Sequence, residues 1–67
     1  MEQHVKHEDD ELLDEKEAAA ILNVSVGTLQ VWRSTKRYPL PYTKIGRSVR
    51  YKRSSLMRFI ESRTVAA

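Results

Sequence analysis

Four cations crowd a nine-residue stretch around a single glycine, Gly46. They are Lys44, Arg47, Arg50 and Lys52. Cations held this close repel one another in an isolated chain. The chemistry that relieves them is neutralisation by a polyanion, such as a phosphate backbone. Gln30 offers a different chemistry. Its amide carries a donor and an acceptor, the two groups needed to grip an adenine edge bidentately. Acid–base and metal chemistry have little to work with. The chain has no cysteine, its two histidines are His4 and His7, and Glu61 is the one acid beyond residue 17. His4 and His7 stand three residues apart, a spacing that can serve a metal ion, but without a rigid frame they read as solvent-exposed. The body holds too few acids for a paired-carboxylate or two-metal site, so the expectation is a binding protein without cofactor or metal, not an enzyme.

Charge is divided unevenly along the chain. Eight of the nine acids fall within residues 1–17, and ten of the twelve bases lie from residue 18 onward. The formal balance is −6 for the first part and +9 for the second, hidden within a net +3. A basic body with interleaved aromatics is the electrostatic footprint of a nucleic-acid binder; the competing reading is a merely soluble basic surface. Sixty-seven residues make one small domain, which buries only about 60% of its unfolded surface. Lack of cysteine fits a reducing cytoplasm. No apolar run approaches the roughly 18–20 residues of a membrane span, and the acidic start is unlike a signal or transit peptide. The expected location is the cytoplasm, at the nucleoid.

Residues 1–11 read as a disordered acidic tail, and 12–65 as the folded domain. Structure is expected from Leu12-Leu13. Asp14 followed by Glu17 matches a capping box, and opens a helix over about Glu15 to Leu22 with an apolar stripe at Ala18, Ile21 and Leu22. Asn23 tolerates the left-handed conformation that ends a helix, and Ser25 is a good N-cap for the next one. The second helix is expected over about Val26 to Lys36. Leu29, Trp32 and Lys36 fall on its inner row. Gly27, Gln30, Val31 and Ser34 project from the opposite side, flanked by Val26 and Arg37. Small residues and one amide on that face let a helix lie close to a groove wall, with Val26 and Val31 available to thymine methyl groups. Packing of both valines against the tail or hairpin is the alternative.

Tyr38-Pro39-Leu40-Pro41 cannot continue the helix. Tyr42 to Ile45 and Val49 to Lys52 read as strands of a hairpin around Gly46-Arg47-Ser48. Ile45, Val49 and Tyr51 are expected to face the core, with Lys44, Arg50 and Lys52 outward and Arg47 at the tip. A solubilised sheet edge is the alternative use of these cations. A last helix spans about Arg53 or Ser54 to Arg63, with Leu56, Phe59 and Ile60 buried, and Thr64 to Ala67 frays.

Three segments carry a resemblance. Asp14 to Ala19 resembles the opening of the excisionase and AlpA type of small DNA-binding domain, relatives of the MerR-type regulators. Asn23 to Trp32 looks like that family's turn and recognition helix, and Leu40 to Tyr51 like its wing. The match covers about four fifths of the chain. It implies a mainly α fold with a small β-hairpin: a winged helix-turn-helix with a two-stranded wing and a C-terminal helix. It implies that the second helix enters the major groove and the wing tracks the backbone or minor groove of double-stranded DNA. Carried over, Ser25, Thr28 and Gln30 stand at the recognition helix, and Lys44, Arg47 and Arg50 at the wing. Many relatives place Arg where this chain has Val26, Gly27 and Val31. The departure shifts weight to Gln30, Arg33 and the wing. The expected DNA-contacting set is therefore Ser25, Val26, Gly27, Thr28, Gln30, Val31, Arg33, Ser34, Arg37, Lys44, Arg47, Ser48 and Arg50.

The resemblance implies a role in a mobile element: an excisionase that bends DNA and steers an integrase or other recombinase, or an AlpA-like transcription regulator. The longer dimerisation helix of some relatives does not follow within these 67 residues, so the expectation is a monomer that assembles cooperatively on DNA. A rival of another class is a protein-binding adaptor whose basic hairpin holds an acidic partner. An RNA binder would want exposed aromatics on a sheet, which burial of Tyr51 and Phe59 disfavours.

Overall fold

The computed structural model describes residues 10–66. Six elements follow in order: β1 (Leu12–Leu13), α1 (Glu15–Leu22), α2 (Val26–Thr35), β2 (Thr43–Ile45), β3 (Ser48–Lys52) and α3 (Arg53–Arg63). The mainly α fold with a wing-like hairpin is as the sequence indicates. A third, two-residue strand joins the hairpin, and the antiparallel sheet has the order β1-β3-β2.

Local signals start and stop the helices. The Asp14 carboxylate accepts from the Glu17 amide at 2.8 Å, and the Glu17 carboxylate accepts from the Asp14 amide at 2.9 Å. This reciprocal box satisfies two amides that the first turn of α1 leaves without partners. Asn23 closes the helix with φ at 60°, its N–H directed to the carbonyls of Ala19 and Ala20. Two residues later the Ser25 hydroxyl oxygen accepts from the Thr28 amide at 3.0 Å and caps α2. The short connection brings α1 and α2 together as a helix-turn-helix. Lys36 lies just past the end of α2, also left-handed with φ at 55°. It is exposed and does not extend the inner row, because the left-handed turn swings it away from the helix axis.

The core takes one or two residues from every element except β2: Leu13, Ala18, Ala19, Leu29, Tyr51 and Leu56. Ala18 and Ala19 are small enough for α2 and α3 to approach α1 closely. Beside this core lies an aromatic cluster. Trp32 meets Tyr38 edge-on at 4.9 Å, and Phe59 lies 5.7 Å from Tyr38. Arg63 stacks over Tyr38 at 4.7 Å, closing the cluster from the end of α3.

The sheet register corrects the expected facing of the hairpin. Its loop is the two residues Gly46 and Arg47, so Ile45 pairs with Ser48, Lys44 with Val49, and Thr43 with Arg50. Directly opposed residues share a face. Lys44 therefore shares the inner side with Val49 and Tyr51, while Ile45 shares the outer side with Arg50 and Lys52. Ile45 is 54% exposed, not a core residue. Gly46 supplies φ of +61°, and Arg47 keeps negative φ, the pattern of a type II′ turn with Gly first. A three-residue loop shifts the pairing by one and exchanges the faces, which is why the expected pattern fails.

α3 begins without a side-chain cap from its own N-cap residue. Instead the Arg53 amide donates to the Glu11 carbonyl at 2.9 Å, and the Ser54 hydroxyl donates to Asp10 at 2.6 Å. Along α3, Ser55 and Leu56 are buried and Phe59 is half-buried, but Ile60 faces mostly outward, contrary to expectation. The position one turn before Phe59 is Ser55, so the buried stripe passes on the other side of Leu56. His4, His7 and most of the expected acidic tail lie outside the described residues.

Lys36 holds a conformation that suits glycine better than any residue with a Cβ. Lys36→Gly is expected to stabilise the domain by about 0.5–1 kcal/mol, raising the thermal midpoint by a few degrees. A calorimetric scan of both proteins checks this; an unchanged or lower midpoint contradicts it.

Candidate nucleic-acid interface

Two surfaces offer themselves to a nucleic acid: the outer face of α2 and the wing. On α2, Gly27, Gln30, Val31 and Ser34 are all exposed, as the helical phase requires. Val31, 56% exposed, is the apolar residue on this face. Val26 behaves differently. It is half-buried and packs against the core, so the thymine contact expected of it falls to Val31 alone. The Ser25 hydroxyl is committed to the cap and donates to Thr28 Oγ1 at 2.9 Å. Because Thr28 accepts there, its own proton remains free to be donated elsewhere. Ser34 turns its hydroxyl back to the Val31 carbonyl at 3.2 Å.

Arg33 does not project with the outer face. Its guanidinium grips Glu15 from two nitrogens, at 2.8 and 3.2 Å, and both side chains are about four-fifths withdrawn from solvent. The Glu15 carboxylate raises the Arg33 pKa further above its ordinary value, since it bonds and faces the charged form. Arg33 also lies 5.7 Å from the Tyr42 ring centroid. Arg37 is exposed and lies over Tyr38 at 5.3 Å; as a donor to the phenol oxygen and a positive charge beside it, its guanidinium lowers the Tyr38 pKa. Burial pushes the Tyr51 phenol the other way, upward, and its hydroxyl is buried without a hydrogen-bond partner among the described residues.

On the wing, Lys44, Arg47 and Ser48 are exposed. Arg50 is half-buried and folds back, donating to the Val49 carbonyl at 2.9 Å. Among the described residues, no acid pairs with Lys44, Arg47, Arg50 or Lys52. The family model described as a helix-turn-helix domain, of the excisionase and AlpA-like kind, matches residues 12–64. The chain belongs to this family. No significant match is found among curated proteins, and none among solved structures. As a helix-turn-helix domain it is a DNA-binding module. No helix among the described residues is long and apolar enough to cross a membrane.

Within the helix-turn-helix, the structure adds residues the sequence reasoning missed. Glu15 is the main one. In the sequence it marks only the start of the first helix, yet it holds both Gln30 and Arg33. Those partners are 15 and 18 residues away, and nothing in the local pattern announces them. Tyr42, 44% exposed beside Arg33, is the other. The expected contact residues divide into four groups: α2 with its cap, the wing around Arg47, Arg37 past the end of α2 on Tyr38, and Arg33, which is turned to Glu15.

Arg47 sits at the tip of the hairpin with no role in packing. Arg47→Ala is expected to weaken binding to all duplexes about equally and to lower the slope of log affinity against log salt by about one unit. A salt titration on two unrelated duplexes checks it. Wild-type affinity and slope would show that the hairpin does not follow DNA phosphates.

Proposed function

We propose that this protein is an accessory DNA-binding factor of a mobile element, acting as an excisionase or as an AlpA-like transcription regulator. The observation that carries the reading is the pairing of two surfaces. The small domain carries both an exposed, small-residue helix face bearing Gln30 and a cationic hairpin tipped by Arg47, and no acid among the described residues pairs with the hairpin's cations. Such a pair fits a helix in the major groove with a wing on the neighbouring backbone. DNA that curves toward the wing gains phosphate contacts, which supports a bending role and, with it, cooperation with a recombinase. The protein acts as a monomer in solution and assembles on adjacent sites in the duplex.

A second reading has its own observation. An open groove of about 640 Å³ runs between α2 and the 38–42 segment, lined by Trp32, Tyr38 and Tyr42 with Arg33 and Arg37 at hand. An acidic peptide with an aromatic or aliphatic anchor suits that lining. Competition separates the readings: an adaptor keeps its protein partner in excess duplex DNA, whereas a DNA-binding factor does not.

The direct test is footprinting on the DNA that flanks the protein's own gene, followed by gel mobility of circularly permuted fragments. A protected site with position-dependent mobility supports the bending role; uniform, unprotected binding rejects the sequence-specific reading. At such a site Gln30→Ala is expected to cost about 1–3 kcal/mol, with little loss on random DNA. Equal losses on both would show that Gln30 reads no base.

A further inference from the structure

Gln30 and Arg33 lie one turn apart on α2, and both reach the same carboxylate on α1. Gln30 Nε2 donates to Glu15 Oε1 at 3.2 Å, while Arg33 Nε and Nη2 donate to Glu15 Oε2 at 3.2 and 2.8 Å. A carboxylate accepts and cannot donate, so chemistry fixes which end of the Gln30 amide turns inward. One of its two N–H groups is engaged. The carbonyl oxygen is left without a partner among the described residues. Arg33 in turn lies beside the Tyr42 ring, 5.7 Å from its centroid. The carboxylate therefore has a strong cationic donor holding it from one side while it orients Gln30 on the other.

We infer that Glu15 sets the base preference of α2 by fixing the rotation of the Gln30 amide. The inference rests on the proposal that the outer face of α2 reads DNA. With one N–H held by Glu15, the Gln30 oxygen is turned away from the carboxylate and presented as an acceptor. It then favours a base that offers an amino donor in the major groove, cytosine through N4 or adenine through N6. Guanine O6 and N7 and thymine O4 are acceptors and face the Gln30 oxygen and the nearby carboxylate with like polarity. Adenine can also be gripped from both sides, its N6 donating to the Gln30 oxygen and its N7 accepting the second N–H, while Glu15 keeps the first. Glu15 is a positioning residue: it acts through Gln30 without touching the base.

Replacement of the carboxylate by an amide makes a sharper demand. In Glu15→Gln the guanidinium of Arg33 still needs an acceptor, so the new carbonyl turns toward Arg33. The new NH₂ then faces Gln30, and Gln30 must flip to offer its own oxygen inward. Its nitrogen now points outward, and the preference inverts toward guanine and thymine. The experiment is selection from a randomised duplex library with wild type, Gln30→Ala, Glu15→Gln and the double variant. The Gln30 position is the one whose preference vanishes in Gln30→Ala. There, wild type is expected to favour cytosine or adenine by about five- to tenfold, the worth of one hydrogen bond. Glu15→Gln is expected to reverse that choice, and the double variant to show none. Thermal melts establish that each variant folds; Asp14 and Glu17, which cap α1, are untouched. If Glu15→Gln folds and selects the same base as wild type at that position, the inference is wrong. If wild type selects no motif, or Gln30→Ala changes no position, the DNA-reading role of α2 fails and the inference falls with it.

Discussion

Tyr51 lies in the middle strand of the sheet at 1% exposure, and its burial decides how the rest of the wing is presented. β3 is paired on both edges, with Leu13 opposite Tyr51 on one side and the hairpin partner β2 on the other. Side chains alternate along a strand. Once Tyr51 and Leu13 point into the core, Arg50 and Lys52 must point out, and Leu12 and Ile45 with them. Moving the pairing by one residue would bury Arg50 beside Leu29 and expose Tyr51. The apolar contact with the core thus holds the cationic face in place, and a phenol inside the protein positions charges outside it. Tyr51 also lines the groove that Arg33 borders, so β3 and α2 meet around one residue.

The helices are placed by a different economy of size. Ala18 and Ala19 are buried on α1, where larger side chains would hold α2 and α3 off. The close approach is what allows Glu15, at the start of α1, to reach two side chains of α2. A bulkier α1 face would separate the carboxylate from Gln30 and Arg33 by more than a hydrogen bond. Overpacking of this kind costs about 1–3 kcal/mol in a core. In so small a domain that is a large part of the total stability. The structure of the reading surface therefore depends on residues that never face a ligand.

Much of this was legible in the sequence where the signal is local. The Asp14–Glu17 box, the left-handed Asn23 and the Ser25 cap each involve residues within a few positions of one another, and all three stand where the pattern puts them. The boundaries of α1 and α3 and the outer position of Gln30 and Val31 follow from the same short-range rules. The facing of the hairpin was not legible, because a loop of two residues or three suits the segment from Gly46 to Ser48 equally well; Val49 and Tyr51 face inward with either, and loop length decides whether Lys44 or Ile45 joins them. β1 was not legible as a strand, since two residues are too few to show alternation. Val26 and Ile60 have the right spacing for the faces first assigned to them, but where a helix meets its neighbours is set by packing, not periodicity. Glu15 was hidden most completely, because its role exists only after two helices have met.

The distribution of acids then takes on a structural meaning. Six acids lie in the described residues, and five of them are engaged locally: Asp14 and Glu17 in the cap, Glu15 with Arg33 and Gln30, Asp10 and Glu11 at the start of α3. A carboxylate bonded to a backbone amide or a guanidinium is partly neutralised where it stands, and projects a weaker field than a free one. The cations of the wing have no such partners among these acids. What an approaching polyanion meets is therefore more positive at the hairpin than residue counting over the whole domain suggests. The opposite holds at Arg33, which counts as a cation in the sequence but is already matched by Glu15. On the proposed interface, phosphate attraction falls on the wing, and the α2 face is left nearly neutral. A neutral face is suited to discrimination, because a hydrogen bond to a base edge can be compared there without a large charge favouring every sequence alike. On the proposed interface the two halves thus separate grip from reading, and the Glu15–Arg33 pair keeps a cation from blurring the division.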